Sequence, residues 1–164
     1  MIDLLLAALL SQAAPAPCTA VAPPPADLAG WNDRDRVMAG ADGGRATPLI
    51  PGTAVTATLL LTTDLRYVAT PAKPGAADSR GGLFAFTVAK PGRYRVALGS
   101  AAWIDILADN KPVASTTHGH GPACSGIRTM VDFELGRGRH LLQIAGSRDA
   151  AVALMVTRLT DTPL

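Results

Sequence analysis

Short runs of alternating apolar and polar residues, separated by turn residues, make up most of the chain after Pro51. In residues 93–98, for example, apolar side chains alternate with arginines, as expected for a strand with one buried face. Turn residues recur about every 8–12 positions, a spacing typical of antiparallel β-sandwiches. The pattern predicts an all-β fold, an antiparallel β-sandwich of the jelly-roll type, over residues 51–164. The predicted strands are residues 53–62, 83–88, 93–98, 102–107, 113–116, 127–135, 140–145 and 151–159.

The segment before the predicted sandwich has a different composition. Residues 14–25 consist mainly of alanine and proline, which favour an extended tether and cannot build a core. Residues 27–38 are expected to form no more than one or two helical turns, because a glycine-rich stretch follows them at residues 39–44. Residues 14–50 are therefore predicted to be a tether and an irregular lead-in.

The first 13 residues have the composition of a signal peptide. A short apolar run precedes small residues, with Ser11 and Ala13 at the positions that signal peptidase reads. The apolar run at residues 4–10 is much shorter than the roughly 20 residues of a membrane-spanning helix. We therefore expect cleavage after Ala13, a periplasmic or extracellular location, and no membrane span after the signal peptide is removed.

Two cysteines, Cys18 and Cys124, remain after the predicted cleavage. Disulfides form and persist in the oxidising compartments that exported proteins reach. The sequence therefore predicts a disulfide between them, and the alternative is two free thiols.

Charge and motifs narrow the possible functions. The 164 residues carry a net charge of only +2, and the 15 basic residues are scattered along the chain, so no nucleic-acid partner is expected. Neither a phosphate-binding loop nor a dinucleotide fingerprint is present. Ser125, His118 and Asp132 could be combined into a hydrolytic triad, but no Gly-x-Ser-x-Gly turn presents the serine. Serine hydrolysis is therefore not expected.

Residues 84–159 contain two similar strand entries, Lys-Pro-Gly-Arg-Tyr-Arg-Val-Ala-Leu and Gly-Arg-Gly-Arg-His-Leu-Leu-Gln-Ile. With these motifs the chain resembles the small secreted β-sandwich modules of the bacterial pre-peptidase C-terminal type, which implies an exported β-sandwich. Residues 102–128, which contain Ala-Trp-Ile-Asp and His-Gly-His-Gly-Pro-Ala-Cys, also look like a group of short exported bacterial proteins. Some of that group carry a homogentisate 1,2-dioxygenase name, which implies iron held by two histidines and a carboxylate.

The segment from His118 to Cys124 has the most distinctive chemistry in the chain. In an extended strand His118 and His120 point to the same side, and neutral imidazole is a common metal ligand. Cys124 or His140 could complete such a site, whereas Glu134 alternates with presumed core residues and is a poor candidate. The favoured interpretation is a glycine-rich loop fixed by a disulfide at Cys124, with its histidines bonded to backbone carbonyls.

Aromatic residues suggest two further interpretations. Trp103 and Asp105 are expected on one face of a strand, where Trp103 packs on the sheet and Asp105 pairs with an arginine such as Arg128. The alternative is that they form a platform for a ligand. Trp31 and Tyr67 lie in irregular segments, and we expect them to cover an edge of the core rather than to stack on a sugar ring.

These observations predict an exported, non-catalytic β-sandwich that serves as a binding or accessory module. The sequence does not identify its ligand, for which a glycan or another envelope component is a candidate. No cofactor is expected. The alternative is a metal-dependent enzyme or a metal carrier that holds a divalent metal at His118 and His120. The residues predicted to bind the ligand lie on or near one glycine-rich loop: His118, His120, Arg128, Trp103 and Asp105.

Overall fold

The computed structural model describes Ala14 and residues 16–160, and the signal peptide predicted for residues 1–13 lies outside these residues. Two mixed sheets pack face to face, and nearly all of the regular structure is β. The prediction of an all-β sandwich is therefore confirmed. No helix in the described part of the chain is long and apolar enough to cross a membrane.

Every predicted strand overlaps a strand of the structure, so the alternation of apolar residues located the sheets correctly. Short 3-10 helices span Ala26–Asn32, Gly43–Arg45 and Thr62–Asp64. The strands in the described residues are β1 (Arg34–Met38), β2 (Thr47–Pro48), β3 (Ala54–Thr58), β4 (Leu60–Leu61), β5 (Arg80–Val88), β6 (Gly92–Leu98), β7 (Trp103–Ala108), β8 (Lys111–Pro112), β9 (Ser115–Gly119), β10 (Thr129–Leu135), β11 (Gly138–Ser147) and β12 (Ala151–Arg158).

The strand order is that of a jelly roll. Sheet A has the order β1-β3-β12-β6-β10-β9, and sheet B has the order β2-β5-β11-β7-β8, with β4 paired to β5. When β1, β2, β4 and β9 are set aside, eight strands remain. In chain order these eight strands are β3, β5, β6, β7, β8, β10, β11 and β12. Across sheet A they appear as the first, eighth, third and sixth, and across sheet B as the second, seventh, fourth and fifth. This is the arrangement of two Greek keys that defines the jelly-roll sandwich.

The lead-in is more regular than expected. Strand β1 pairs with β3 and strand β2 pairs with β5, both in parallel, so residues 14–50 contribute an edge strand to each sheet. Four of the five β1 residues are exposed, which explains why Arg-Asp-Arg-Val-Met shows no clear alternation. The helical turns expected for residues 27–38 are confined to the helix Ala26–Asn32.

The main core lies between the two sheets. It is built from the inward-facing residues of the long strands, including Phe84, Ile106, Phe133 and Leu154, each at most 2% exposed. Removing this apolar surface from water contributes roughly 25 cal/mol for each Å² buried, which makes the contact between the sheets the main source of stability.

A second apolar cluster covers the outer face of sheet A. The helix Ala26–Asn32 packs Leu28 and Trp31 against residues of β3, β6 and β12. Trp31 is 1% exposed and therefore closes this face as a buried lid, in agreement with the prediction that it does not stack on a sugar.

An ion-pair network joins this helix to sheet A. Arg95 donates hydrogen bonds to both carboxylate oxygens of Asp132, from Nε at 2.7 Å and from Nη2 at 3.0 Å. Its Nη1 atom donates a third bond to Asp27 at 2.8 Å. Burial is the largest single influence on Asp132 and would raise its pKa, but the hydrogen bonds from Arg95 and Thr117 and the charges of Arg95 and Arg93 together hold that pKa below its usual value.

The predicted disulfide between Cys18 and Cys124 is present, with the two Cα atoms 5.6 Å apart. Beside it, the backbone N–H of Ala22 donates a hydrogen bond to the carbonyl oxygen of Cys124 at 2.9 Å. Cys124 has a φ of 64°, which is costly for a residue other than glycine, and the crosslink and this hydrogen bond hold it there. The alanine- and proline-rich segment is thus fastened to the loop between β9 and β10.

Replacing Cys18 and Cys124 with serine is expected to lower the free energy of unfolding by about 4–5 kcal/mol in the chain-entropy description. The reason is that the crosslink joins residues separated by 106 positions and so restricts the unfolded chain strongly. Urea denaturation of the oxidised wild type and the double variant measures the difference, while circular dichroism confirms that the strands persist. A double variant as stable as the oxidised protein would contradict this prediction.

Replacing Arg95 with leucine is expected to lower the free energy of unfolding at neutral pH by about 3 kcal/mol, because the buried Asp132 carboxylate loses its partner. Since pairing lowers the pKa of Asp132 in the folded state, its stabilisation is complete above the unfolded-state pKa and is lost as pH falls through the folded-state pKa. The difference from wild type should therefore shrink below about pH 4. Urea denaturation across pH checks this, with Arg36→Leu on exposed β1 as the control. If the loss of unfolding free energy in Arg95→Leu did not vary with pH, the ion pair would not be the cause of that loss.

Candidate functional site

A cleft of about 290 Å³ opens between the edge of β7 in sheet B and strands β9 and β10 of sheet A. It exists because β8 pairs with β7 only at Leu107 and Ala108, so the first half of the β7 edge has no neighbouring strand. Asp109 and Asn110 make the tight turn between these strands, both with positive φ. Pro112 has no N–H to donate, and beyond it the N–H of Val113 still donates to the carbonyl oxygen of Ile106 at 2.8 Å.

Three of the five residues predicted to bind a ligand line this cleft: Trp103, Asp105 and His118. The strand alternation places Ile104 and Ile106 in the main core and the side chains of Trp103 and Asp105 on the other face of β7. The cleft lies at the strand edge, so residues of both faces contribute to it. Its remaining lining includes an apolar part and a polar part: Ile104, Val113, Val131 and Phe133, and Ser115 and Thr129.

His118 is held at the cleft by Ser115, a residue that the sequence analysis did not identify. Their Nε2 and Oγ atoms are 2.7 Å apart. Residues three apart in a regular strand face opposite sides, but the pairing of β9 with β10 shifts at Thr116. This bulge turns Ser115 and His118 to the same side. The only sequence signal was the polar run Ser-Thr-Thr-His, which does not reveal a bulge.

The hydrolytic triad considered from the sequence is not assembled. Ser125 donates its hydroxyl hydrogen to the carbonyl oxygen of Pro122 at 2.6 Å, and Asp132 accepts from Arg95. His118 bonds to Ser115 instead. Each member therefore has a different partner and a separate structural role.

His120 and Arg128 are not among the residues that line the cleft. Nδ1 of His120 lies 2.6 Å from the carbonyl oxygen of Arg128, so the histidine joins the two ends of the loop between β9 and β10. The favoured interpretation expected both loop histidines to bond backbone carbonyls. His120 does so, whereas His118 does not, because its Nε2 atom is bonded to the Ser115 hydroxyl. Of the two residues considered as further metal ligands, Cys124 is in the disulfide and His140 is buried against Phe86. In residues 16–160, no three His, Cys, Asp or Glu side chains are placed to hold a metal ion.

Asp105 has no ion-pair partner among the described residues, so the expected pairing with Arg128 is wrong. Arg128 is bonded to sheet A through its N–H, which donates to Leu98, whereas Asp105 lies on the outer face of sheet B. Burial raises the pKa of Asp105, and the adjacent Trp103 indole offsets only part of that rise. The carboxylate is therefore held in a partly desolvated position without a compensating charge.

Trp103 also has an unsatisfied polar atom. Its indole Nε1 is buried and has no hydrogen-bond partner of good geometry in the described part of the chain. The Nζ atom of Lys73 lies 5.3 Å from the centre of the ring, on the face of the indole. Trp103 and Asp105 together form a polar pair whose hydrogen-bonding capacity the protein leaves largely unused.

A buried glutamine holds the segment that covers this part of sheet B. The side-chain oxygen of Gln143 accepts from the N–H groups of Val68 at 2.7 Å and Ala69 at 3.2 Å, and its nitrogen donates to the Ala69 carbonyl at 2.8 Å. Gln143 is paired in register with Asp105 and therefore brings Tyr67 close to that carboxylate. Burial, with a contribution from the Asp105 charge, raises the pKa of Tyr67 to about 12. Tyr67 thus covers the sheet, as predicted.

No protein-family model matches the chain, and no curated protein matches it either.

Replacing Asp105 with asparagine is expected to raise the free energy of unfolding at neutral pH. Because the pKa of Asp105 is raised in the folded state, its effect on stability becomes increasingly unfavourable as pH rises from the unfolded-state pKa through the folded-state pKa. The gain in the variant should therefore disappear below about pH 4. Urea denaturation of both proteins at neutral and acidic pH measures it. A variant less stable than wild type at neutral pH would contradict the prediction.

Proposed function

We propose that this protein is an exported, non-catalytic β-sandwich module that binds one sugar ring of an envelope glycan in the cleft between β7 and β9. The observation that carries the proposal is the convergence of Trp103, Asp105 and His118 on one cleft with an apolar lining. These residues come from two sheets, so the cleft is a product of the fold.

The size and chemistry of the cleft favour a small polyhydroxylated ligand. Its volume of about 290 Å³ lies at the lower end of the range for small-molecule sites, which suits a single ring. The ring faces of a sugar are rich in C–H groups and suit the apolar lining, while its hydroxyls can donate to Asp105 and bond to His118. The raised pKa of Asp105 marks a carboxylate whose burial the Trp103 indole offsets only in part, and whose interactions a ligand would improve.

The hydrogen bonds of the polar side chains in the cleft favour binding over catalysis. Ser115 and His118 have the separation of a nucleophile and its base, but no side chain of the described residues bonds the other ring nitrogen of His118. The third member that would orient the imidazole is therefore missing. Asp105 lies across the cleft and shows no bond to this pair among the described residues.

The predicted signal peptide supports export, and the disulfide between Cys18 and Cys124 is the kind of crosslink that oxidising compartments preserve. The resemblance to exported β-sandwich modules agrees with the same location. The dioxygenase name and the metal-carrier alternative both require further ligands beside His118 and His120. In residues 16–160, no three His, Cys, Asp or Glu side chains are placed to hold a metal ion, which favours the binding module.

The test is a glycan-array screen of the purified chain, followed by calorimetric titration with the best monosaccharide or disaccharide. His118→Ala and Trp103→Leu are each expected to weaken binding by about tenfold or more, because each removes a contact at the centre of the site. His120→Ala is the matched control, since this histidine lies two residues from His118 but outside the cleft lining. It should bind as wild type does.

Two further measurements test the alternatives on the same preparations. Elemental analysis should find no bound metal in stoichiometric amount, and a metal that His118→Ala/His120→Ala loses would overturn the proposal in favour of the metal site. An esterase activity that Ser115→Ala abolishes would overturn the non-catalytic part. Glycan binding that His118→Ala and Trp103→Leu leave unchanged would exclude the cleft.

A further inference from the structure

The fold brings together basic side chains that are scattered in the sequence. Lys90 lies in the turn between β5 and β6, Lys111 begins β8, and Arg137 lies in the turn between β10 and β11. Arg93 and Arg139 are the second residues of β6 and β11. All five are exposed, and none makes an ion pair with another described residue.

The strand registers place these five residues at the same end of the sandwich, called here the basic end. In sheet B, Gly138 pairs with Val88 and His140 pairs with Ala108, which aligns the turns that carry Arg137, Lys90 and Lys111. In sheet A, Leu135 pairs with Gly92, which adds Arg93. Among the described residues, two exposed acidic side chains share this end, Asp109 and Glu134, so basic groups predominate in the described part of it.

An exposed aliphatic side chain lies at the same end. Ile50 is 71% exposed and belongs to the turn that links β2 in sheet B to β3 in sheet A. The N–H of the preceding residue, Leu49, donates to the carbonyl oxygen of Ala85 at 2.8 Å, which places this turn beside the last residues of β5. Ile50 and Arg139 line one shallow groove. The basic end therefore combines an apolar tip with surrounding cations.

From this combination we infer that the basic end is a docking surface for a bilayer that contains anionic phospholipid. The cations contact lipid phosphates, and the Ile50 side chain enters the apolar region beneath the headgroups. This inference is independent of the cleft and goes beyond the proposed function. Because the contact is peripheral, it requires no membrane span.

A lipid surface fits these residues better than a nucleic acid does. Single-stranded nucleic acids need exposed aromatic side chains for stacking, and the aromatic residues nearest this end, Phe86 and Tyr94, are each only 3% exposed. An exposed isoleucine gains little from contact with a phosphodiester backbone but gains free energy when it leaves water. The apolar tip therefore favours the bilayer.

Docking in this way also orients the candidate ligand site. Strand β10 runs from Thr129, at the end of the cleft that holds Trp103, to Leu135, at the basic end, roughly 20 Å away. The lining of the cleft extends along this strand as far as Phe133. Docking would therefore place the disulfide loop and the Trp103 end of the cleft away from the bilayer, where they are open to a glycan.

The test is sedimentation of the whole purified chain with vesicles of phosphatidylcholine alone and of phosphatidylcholine mixed with phosphatidylglycerol. Binding is expected only to the mixed vesicles and should weaken strongly at high salt. Lys90→Gln/Lys111→Gln/Arg137→Gln should reduce the partition coefficient by about a hundredfold, or about fivefold for each charge. The control Arg36→Gln/Arg66→Gln/Arg148→Gln removes the same charge from exposed positions elsewhere and should retain binding.

Ile50→Ser tests the apolar contact and should weaken vesicle binding about tenfold, whereas Val21→Ser, at a residue 76% exposed beside the disulfide, should not. In Ile50→Trp the tryptophan emission should shift to shorter wavelength on the mixed vesicles. If the two triple variants lost vesicle binding equally, the inference would be overturned, because binding would then depend only on net charge. Binding that Ile50→Ser leaves intact and that an oligonucleotide competes away would identify a general polyanion site instead, which also overturns it.

Discussion

The apolar contact between the two sheets is the interaction on which the rest of the structure depends. Side chains alternate with a period of two, so a shift of one residue in any long strand would turn its apolar set toward water. The contact therefore determines the register of β5, β6, β10, β11 and β12 together. The remaining segments of the chain can then pack against the outer faces of the two sheets.

Each outer face receives one segment, held by a polar side chain that is half-buried on sheet A and buried on sheet B. On sheet A, Arg95 binds Asp27 of the 3-10 helix and so fixes the lid that Trp31 completes. On sheet B, Gln143 binds the backbone of Val68 and Ala69. These bonds are directional, so they position the covering segments more closely than apolar contact alone would. The open parts of the sandwich, its edges and ends, are the places left for recognition.

The strands and the jelly-roll order could be predicted from the sequence because alternation and turn spacing depend on local pattern and on the need to bury one face. The disulfide followed from compartment and cysteine count. The cleft was harder to predict. Trp103, Asp105 and His118 were chosen correctly as neighbours, but the gap between them results from the short β8 and the bulge at Thr116. Neither the length of an edge strand nor a bulge leaves a strong local signal in a polar sequence.

The basic end was missed for a related reason. Lys90, Lys111 and Arg137 lie far apart in sequence, and only the antiparallel pairing brings their turns to one end. Counted along the sequence, the charges nearly cancel and the arginines are scattered. Because every second connection of an antiparallel sheet returns to the same end, the distribution of charge has to be judged connection by connection.

The carboxylates of Asp132 and Asp105 are both shielded from water, but they differ in how their burial is compensated. Asp132 is desolvated, yet the bonds and charge of Arg95, together with smaller contributions from Thr117 and Arg93, outweigh the burial, and its pKa falls. Asp105 is desolvated without such compensation, and its pKa rises. A fold selected only for stability has no reason to retain a carboxylate whose burial the neighbouring Trp103 indole offsets only in part. The position of Asp105 and Trp103 in the cleft between β7 and β9 is therefore the main support for the proposal that this cleft, rather than the network around Arg95, binds a ligand.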